Sequence, residues 1–152
     1  MNIEPIGTIH TPYKTLPECP RQGRHSDLIC EVEVFSKFEL GLTDIEGFSH
    51  LLILCWFHNH TKSKISREDY SMMVQTPWDI ESHGLFTTRS PRRPNPIGVS
   101  VVKLLARVDN RLKVTGVDVL DGTPLIDIKP YVPAFDGVDD VKIGWLDGKI
   151  KS

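Results

Sequence analysis

The 152-residue chain carries 18 Lys and Arg against 20 Asp and Glu, a formal net charge of -2, with 39% hydrophobic and 25% charged residues. This is the composition of one ordinary globular domain with room for a core. It excludes a chain-wide electrostatic pull toward nucleic acid or membrane, so a polyanionic partner would need a local basic patch. Cys19, Cys30 and Cys55 are odd in number and show no Cys-x-x-Cys spacing. That argues against a disulfide framework and a zinc ribbon, and for a reduced, cytoplasmic setting. The start Met-Asn-Ile-Glu-Pro does not read as a signal peptide, and the longest apolar run, Leu51 to Phe57, is too short to span a bilayer.

In chain order, Ile3 to His10 reads as extended, with Pro5 marking an edge. Leu16 to Asp27 is irregular and holds a first basic loop, Pro20-Arg21-Gln22-Gly23-Arg24-His25. Leu28 to Phe35 alternates apolar and acidic residues and predicts a strand. Short turns follow over Ser36 to Leu40 and Leu42 to Gly47. Phe48 to Phe57 is the most apolar run; its length and aromatic content favour a strand buried on both faces, although pattern alone does not separate that from a core helix. His58-Asn59-His60 follows. Two histidines at i, i+2 on a strand point the same way, which is one way to begin a metal site, but no third ligand cluster stands out and strand-end histidines commonly face solvent.

Tyr70 to Val74 reads as a short strand and Trp78 to His83 as a loop. Leu85 to Thr88 and Ile97 to Val108 read as strands. Asp109-Asn110 predicts a hairpin turn returning through Leu112 to Val119. Asp121-Gly122 is a further turn before the strand Pro124 to Ile128. The last twenty residues are acidic and glycine-rich, with Trp145 as their large anchor on the surface. Closely spaced strands with almost no amphipathic helix predict a mostly β fold. A small single-sheet β-barrel with short helices and long loops answers the problem of exposed strand edges. Gly-x-Gly-x-x-Gly, P-loop and Gly-x-Ser-x-Gly patterns are absent from the sequence, which speaks against nucleotide-binding α/β folds and α/β hydrolases.

The stretch Gly84 to Val102 organises the rest. Arg89, Arg92 and Arg93 are interleaved with Pro91, Pro94 and Pro96 between two apolar segments. Proline fixes its own φ and pushes the residue before it out of the helical region, so the loop is stiff before any ligand arrives. Such a loop suits an anion or a planar polar ligand, because little entropy is lost on binding. A solvated connector has the same composition; the strand-like flanks argue for an anchored loop.

Two longer motifs make the pattern specific. Thr88-Arg89-Ser90-Pro91-x-Arg93-Pro94-Asn95-Pro96-Ile97-Gly98-x-Ser100 is followed by Asp118-x-Leu120-Asp121-Gly122-Thr123-Pro124-x-x-Asp127-Ile128-Lys129-Pro130-Tyr131. With Ile6-Gly7-x-Ile9, Pro12-Tyr13, Pro20-Arg21-Gln22, Phe48-Ser49-His50-Leu51 and Phe57-His58 in the same order, the chain resembles the TrmO, or TsaA-like, family over about residues 3 to 133. Residues 1–152 are then one domain with a tail over 134–152. The resemblance implies a small β-barrel methyltransferase that uses S-adenosylmethionine without a Rossmann fold, acts as a homodimer, and methylates N6 of threonylcarbamoyladenosine at position 37 of tRNA. It implies cofactor contacts at Pro20, Arg21, Gln22, His58, Asn59, Arg89, Val99, Thr123, Pro124, Leu125 and Ile126. Asn59 departs from the glutamine common in the family, a shorter amide with the same donors and acceptors. Some bacterial members continue into an additional domain, whereas this sequence stops soon after Trp145.

Methyl transfer to an exocyclic amine needs placement more than acid-base chemistry. Asn95, with the backbone carbonyl of Pro96, offers two acceptors to grip the target amine, by analogy with unrelated N6-adenine methyltransferases; a turn-capping role for Asn95 is the competing reading. Arg21 or Arg89 is placed to hold the cofactor carboxylate. Arg24, Arg92, Arg93 and Lys103 would form the RNA-facing patch, with a solvated strand face as the competing role for Lys103. No metal ligand set is expected. The alternatives are a non-catalytic S-adenosylmethionine- or RNA-binding module, or a methyltransferase with another substrate.

Overall fold

A computed structural model describes residues 1–21, 23, 26–58 and 68–151. Its strands are β1 (Gly7–His10), β2 (Cys30–Val34), β3 (His50–Trp56), β4 (Met73–Gln75), β5 (Ser82–Gly84), β6 (Ile97–Val108), β7 (Arg111–Thr115) and β8 (Thr123–Pro130). Six of them close into an antiparallel barrel in the order β1-β2-β7-β6-β3-β8, and β4 pairs with β5 as a separate hairpin. The mostly β barrel expected from the sequence is therefore present. Its helical elements are short, the longest being the seven-residue Ser36–Leu42, and they include α1 (Pro133–Asp136).

The barrel interior follows from period-two alternation. Ile9, Val32, Val34, Leu51, Ile53, Cys55, Val102, Leu112, Val114 and Leu125 all point inward and are buried. Leu42, from the helical turn Ser36–Leu42, joins this core, and Arg107 donates to its carbonyl oxygen at 2.9 Å. The β6–β7 hairpin turns at Asp109, which adopts φ 53. Asn110 then donates its side-chain amide to the Val34 carbonyl at 2.6 Å, tying the turn to β2.

Two expectations change. Leu85 to Thr88 forms a helical turn over Leu85–Thr87 instead of a strand, with Leu85 buried beneath it; the strand ends earlier, at Gly84. The second concerns β3. It is a strand, but Leu51, Ile53 and Cys55 are buried while Leu52, Leu54 and Trp56 are only half-covered. The outward residues pair across to Val101, Val99 and Ile97 of β6, themselves exposed. The outer wall of β3 and β6 is thus an apolar surface that this chain leaves open.

Candidate functional site

β3 leaves the barrel at Trp56, opposite Ile97, where β6 enters it. The crossing is stapled by the Phe57 N–H, which donates to the Pro96 carbonyl at 2.8 Å, and by the Ile97 N–H, which donates to the Asn95 carbonyl at 2.8 Å. This brings His58 beside the Asn95-Pro96 turn. The His58 Nδ1 is covered from solvent and has no hydrogen-bond partner among the described residues. Burial pushes this imidazole below its ordinary value, so it stays neutral near pH 7. A covered polar nitrogen without a partner costs about 1–3 kcal/mol, which a bound ligand would relieve.

The arginine loop is built on the buried Leu85. Arg93 turns inward and donates through Nη1 to the carbonyls of Thr88 at 3.0 Å and Ser90 at 3.1 Å. It therefore holds its own loop in shape. Arg92 is exposed and lies 3.5 Å from the Asp69 carboxylate. Arg89 and Asn95 are exposed, and neither side chain has a partner among the described residues. The expected Trp145 anchor is real: its ring stacks on His83 at 3.9 Å, and its Nε1–H donates to the Thr87 carbonyl at 3.0 Å. The tail thereby fastens the base of the loop.

Gly23 of the first basic loop lies against the β7–β8 connection and donates its N–H to Asp118 at 3.1 Å. Pro20 is half-buried, and Arg21 is exposed with its guanidinium free. Gln22, Arg24, Asn59 and His60 lie outside the described residues. Thr123 and Leu125 turn their side chains into the protein, and the Thr123 hydroxyl donates to the Leu120 carbonyl at 2.6 Å. Pro124 and Ile126 are half-exposed. Val99 faces outward, opposite Leu54. Of the residues implied as cofactor contacts, His58 thus lies just beyond the end of β3, Pro20 and Arg21 on the β1–β2 connection, and Val99, Pro124 and Ile126 on the barrel wall. Lys103 is six residues beyond Ile97 on β6, about 20 Å along the strand, and the fold does not bring it to the arginine loop.

The three aspartates left open by the sequence are engaged: Asp118 and Asp121 on the β1–β2 connection, and Asp127 with Lys129 at 2.8 Å. Burial pushes the thiols of Cys19 and Cys30 up to about 11 and that of Cys55 up to about 12. None supplies a thiolate nucleophile at neutral pH. What remains for chemistry at these positions, among the described residues, is the guanidiniums of Arg21 and Arg89, the amide of Asn95 and the neutral imidazole of His58 with its unpartnered nitrogen. That donor set suits a zwitterionic nucleoside, and S-adenosylmethionine fits it: guanidinium for carboxylate and imidazole for a neutral polar atom, with the amide left over for the group that receives the methyl. The interactions sequence reasoning missed are Asp118 with Gly23 and the Trp145–His83 stack. The first had a signal, an aspartate at a turn beside a second one, but no hint of its partner 95 residues away.

Comparison with known proteins follows the same lines. A family model described as the tRNA-methyltransferase O N-terminal domain matches residues 8–137. A probable S-adenosyl-L-methionine-binding protein of Archaeoglobus fulgidus is 45% identical over 147 residues, 97% of this chain and 38% of that protein. The tRNA (adenine(37)-N6)-methyltransferase of Mus musculus is 35% identical over 146 residues, covering 92% of this chain and 33% of the mouse protein. A crystal structure of TrmO superposes with a TM-score of 0.74 at 34% identity, covering 95% of this chain and 63% of the other. The chain spans between about a third and two thirds of the length of these relatives. With the model matching most of its length and the barrel shared, the chain belongs to the family of the tRNA-methyltransferase O N-terminal domain.

Proposed function

We propose that this chain binds S-adenosylmethionine at the barrel end and transfers its methyl group to tRNA, at N6 of threonylcarbamoyladenosine beside the anticodon. The observation that carries the reading is the unpartnered, covered Nδ1 of His58, one residue beyond the Phe57–Pro96 bond that fixes the Asn95-Pro96 turn. S-adenosylmethionine, when bound, supplies an electrophilic methyl on a sulfonium. Within this chain, Arg21 or Arg89 holds the carboxylate, and His58 accepts or donates one hydrogen bond in its neutral form. Asn95 grips an N–H of the target amine. The Pro96 carbonyl, its expected companion, already accepts the Phe57 N–H, so its remaining lone pair would have to complete the grip.

For the RNA, Arg92 offers an exposed cation, and Arg24 in the sequence of the first basic loop offers a second. Phe86 stands exposed with the Arg93 guanidinium 5.9 Å from its ring centroid. An anchored ring beside fixed charge suits a base from an unpaired loop. The open apolar wall of β3 and β6 supports a homodimer, and it also accounts for cofactor positions such as Val99 lying on that wall. Free thiols at Cys19, Cys30 and Cys55 agree with a cytoplasmic enzyme.

The test is transfer of labelled methyl from S-adenosylmethionine to total tRNA carrying or lacking the threonylcarbamoyl group. Labelling only of the modified tRNA is the expected outcome. Cofactor binding without transfer to either tRNA would reduce the chain to a binding module, and transfer to both would remove the modified base as the determinant.

A further inference from the structure

Two carboxylates on the β7–β8 connection face the long segment between β1 and β2. Asp121 holds its beginning: Oδ1 accepts the Thr11 N–H at 3.0 Å, and Oδ2 pairs with the Lys14 ammonium. Asp118 holds its far side. Its Oδ2 accepts the Gly23 N–H at 3.1 Å, and its Oδ1 accepts the Ser100 hydroxyl at 2.8 Å. Gly23 has no slack where it is held. A Cβ there would sit 2.1 Å from the carbonyl oxygen of Gly116, and Gly116 itself takes φ +92. The Gly23 carbonyl accepts the Ser26 N–H at 2.8 Å, and the Ser26 hydroxyl bonds the Tyr13 hydroxyl at 2.7 Å. One side chain therefore ties the first basic loop to β6, the strand that begins where the arginine-proline loop ends.

We propose that Asp118 is a positioning residue for the cofactor site: its carboxylate fixes Gly23 against Ser100 and so sets Arg21, two residues before it, relative to His58 and the arginine loop. This rests on reading Pro20 and Arg21 as cofactor contacts. The role needs geometry and not charge. An asparagine meets both partners, its oxygen accepting from Gly23 and its amide donating to the Ser100 oxygen. An alanine meets neither and leaves the buried glycine N–H unpaired.

The experiment titrates S-adenosylmethionine into the wild type, Asp118→Ala, Asp118→Asn and Ser100→Ala, and follows amide hydrogen exchange over residues 19–26 in the ligand-free proteins. Asp118→Ala is expected to weaken binding by about tenfold or more and to speed exchange at Gly23. Asp118→Asn should stay within about threefold of wild type on binding and keep the slow exchange. Ser100→Ala, which leaves the Gly23 bond in place, should fall between them; it carries the test should Asp118→Ala not fold. Asp118→Asn losing as much as Asp118→Ala would overturn the geometric role in favour of charge. Wild-type affinity in a folded Asp118→Ala, or in Ser100→Ala with unchanged exchange, would overturn the assignment alone. A wild type that does not bind S-adenosylmethionine would overturn the cofactor reading beneath it, while exchange at Gly23 would still report whether the clamp exists.

Discussion

Gly98→Ala tests how closely the barrel end is fitted. Gly98 lies on β6 opposite Cys55 of β3. A Cβ at this position would stand 2.5 Å from Phe57 Cζ and 2.8 Å from Cys55 Sγ, where ordinary contact begins at 3.4 Å. The Phe57 ring must therefore retreat by about 0.9 Å and the sulfur by about 0.6 Å, differences of the distances just given. Cys55 is 1% exposed and has no free space to take. Overpacking of this kind costs about 1–3 kcal/mol, a fall in Tm of roughly 2–12 °C for a chain of this size. Displacing Phe57 also strains its bond to Pro96 and shifts the neighbouring His58, so S-adenosylmethionine affinity should fall with stability. Urea unfolding of Gly98→Ala, Cys55→Ala and the double variant gives the coupling. Removing the sulfur should make the double variant more stable than the sum of the single effects, by about 0.5 kcal/mol or more. A Gly98→Ala protein within about 0.5 kcal/mol of wild type, or a strictly additive cycle, would refute the packing argument.

Four further outcomes follow. The Asp121 carboxyl is held below the usual carboxylate range chiefly by its hydrogen bond to Lys14, with the Thr11 N–H assisting and burial opposing. Its stabilisation is therefore complete above the unfolded value near pH ~4 and is lost as pH falls through the folded value; Asp121→Asn should flatten the acid limb of stability against pH. Asn95→Ala should lower the rate of methyl transfer by about tenfold while leaving cofactor affinity near wild type, and an unchanged rate would remove the amide from the site. Val101→Lys, on the wall opposite Leu52, should turn the proposed homodimer into a folded monomer by sedimentation; an unchanged assembly state would remove this wall as the proposed interface. RNA affinity should fall steeply with salt, and Arg92→Ala should reduce that slope by about one contact.

Local pattern was enough to find most of the barrel strands and the chemistry of the loops, but not Ser82–Gly84 or the helical turn at Leu85–Thr87. Alternation in Cys30–Val34 marks which residues face the core, because a pleated strand has a period of two whatever it pairs with; Ile97–Val108 is apolar on both sides, and only the structure shows that Val102 is buried while Ile97, Val99 and Val101 are exposed. Asp109-Asn110 declared the hairpin, and the proline-interleaved arginines and the Asp118–Tyr131 motif declared the family. Tertiary structure decided the pairing order, since alternation says which face is buried and not which strand lies beside it. It decided that β3 has one closed face, because an apolar run reads the same whether its own chain covers both sides or leaves one side open. It decided that Arg93 braces its own loop while Arg89 stays free, two identical side chains separated only by where the backbone bends. Above all it decided the use of Asp118, whose partners at Gly23 and Ser100 lie 95 and 18 residues away in sequence. A hydrogen bond extends about 3 Å and carries no trace along the chain, so only the closed barrel could bring the two loops to one carboxylate.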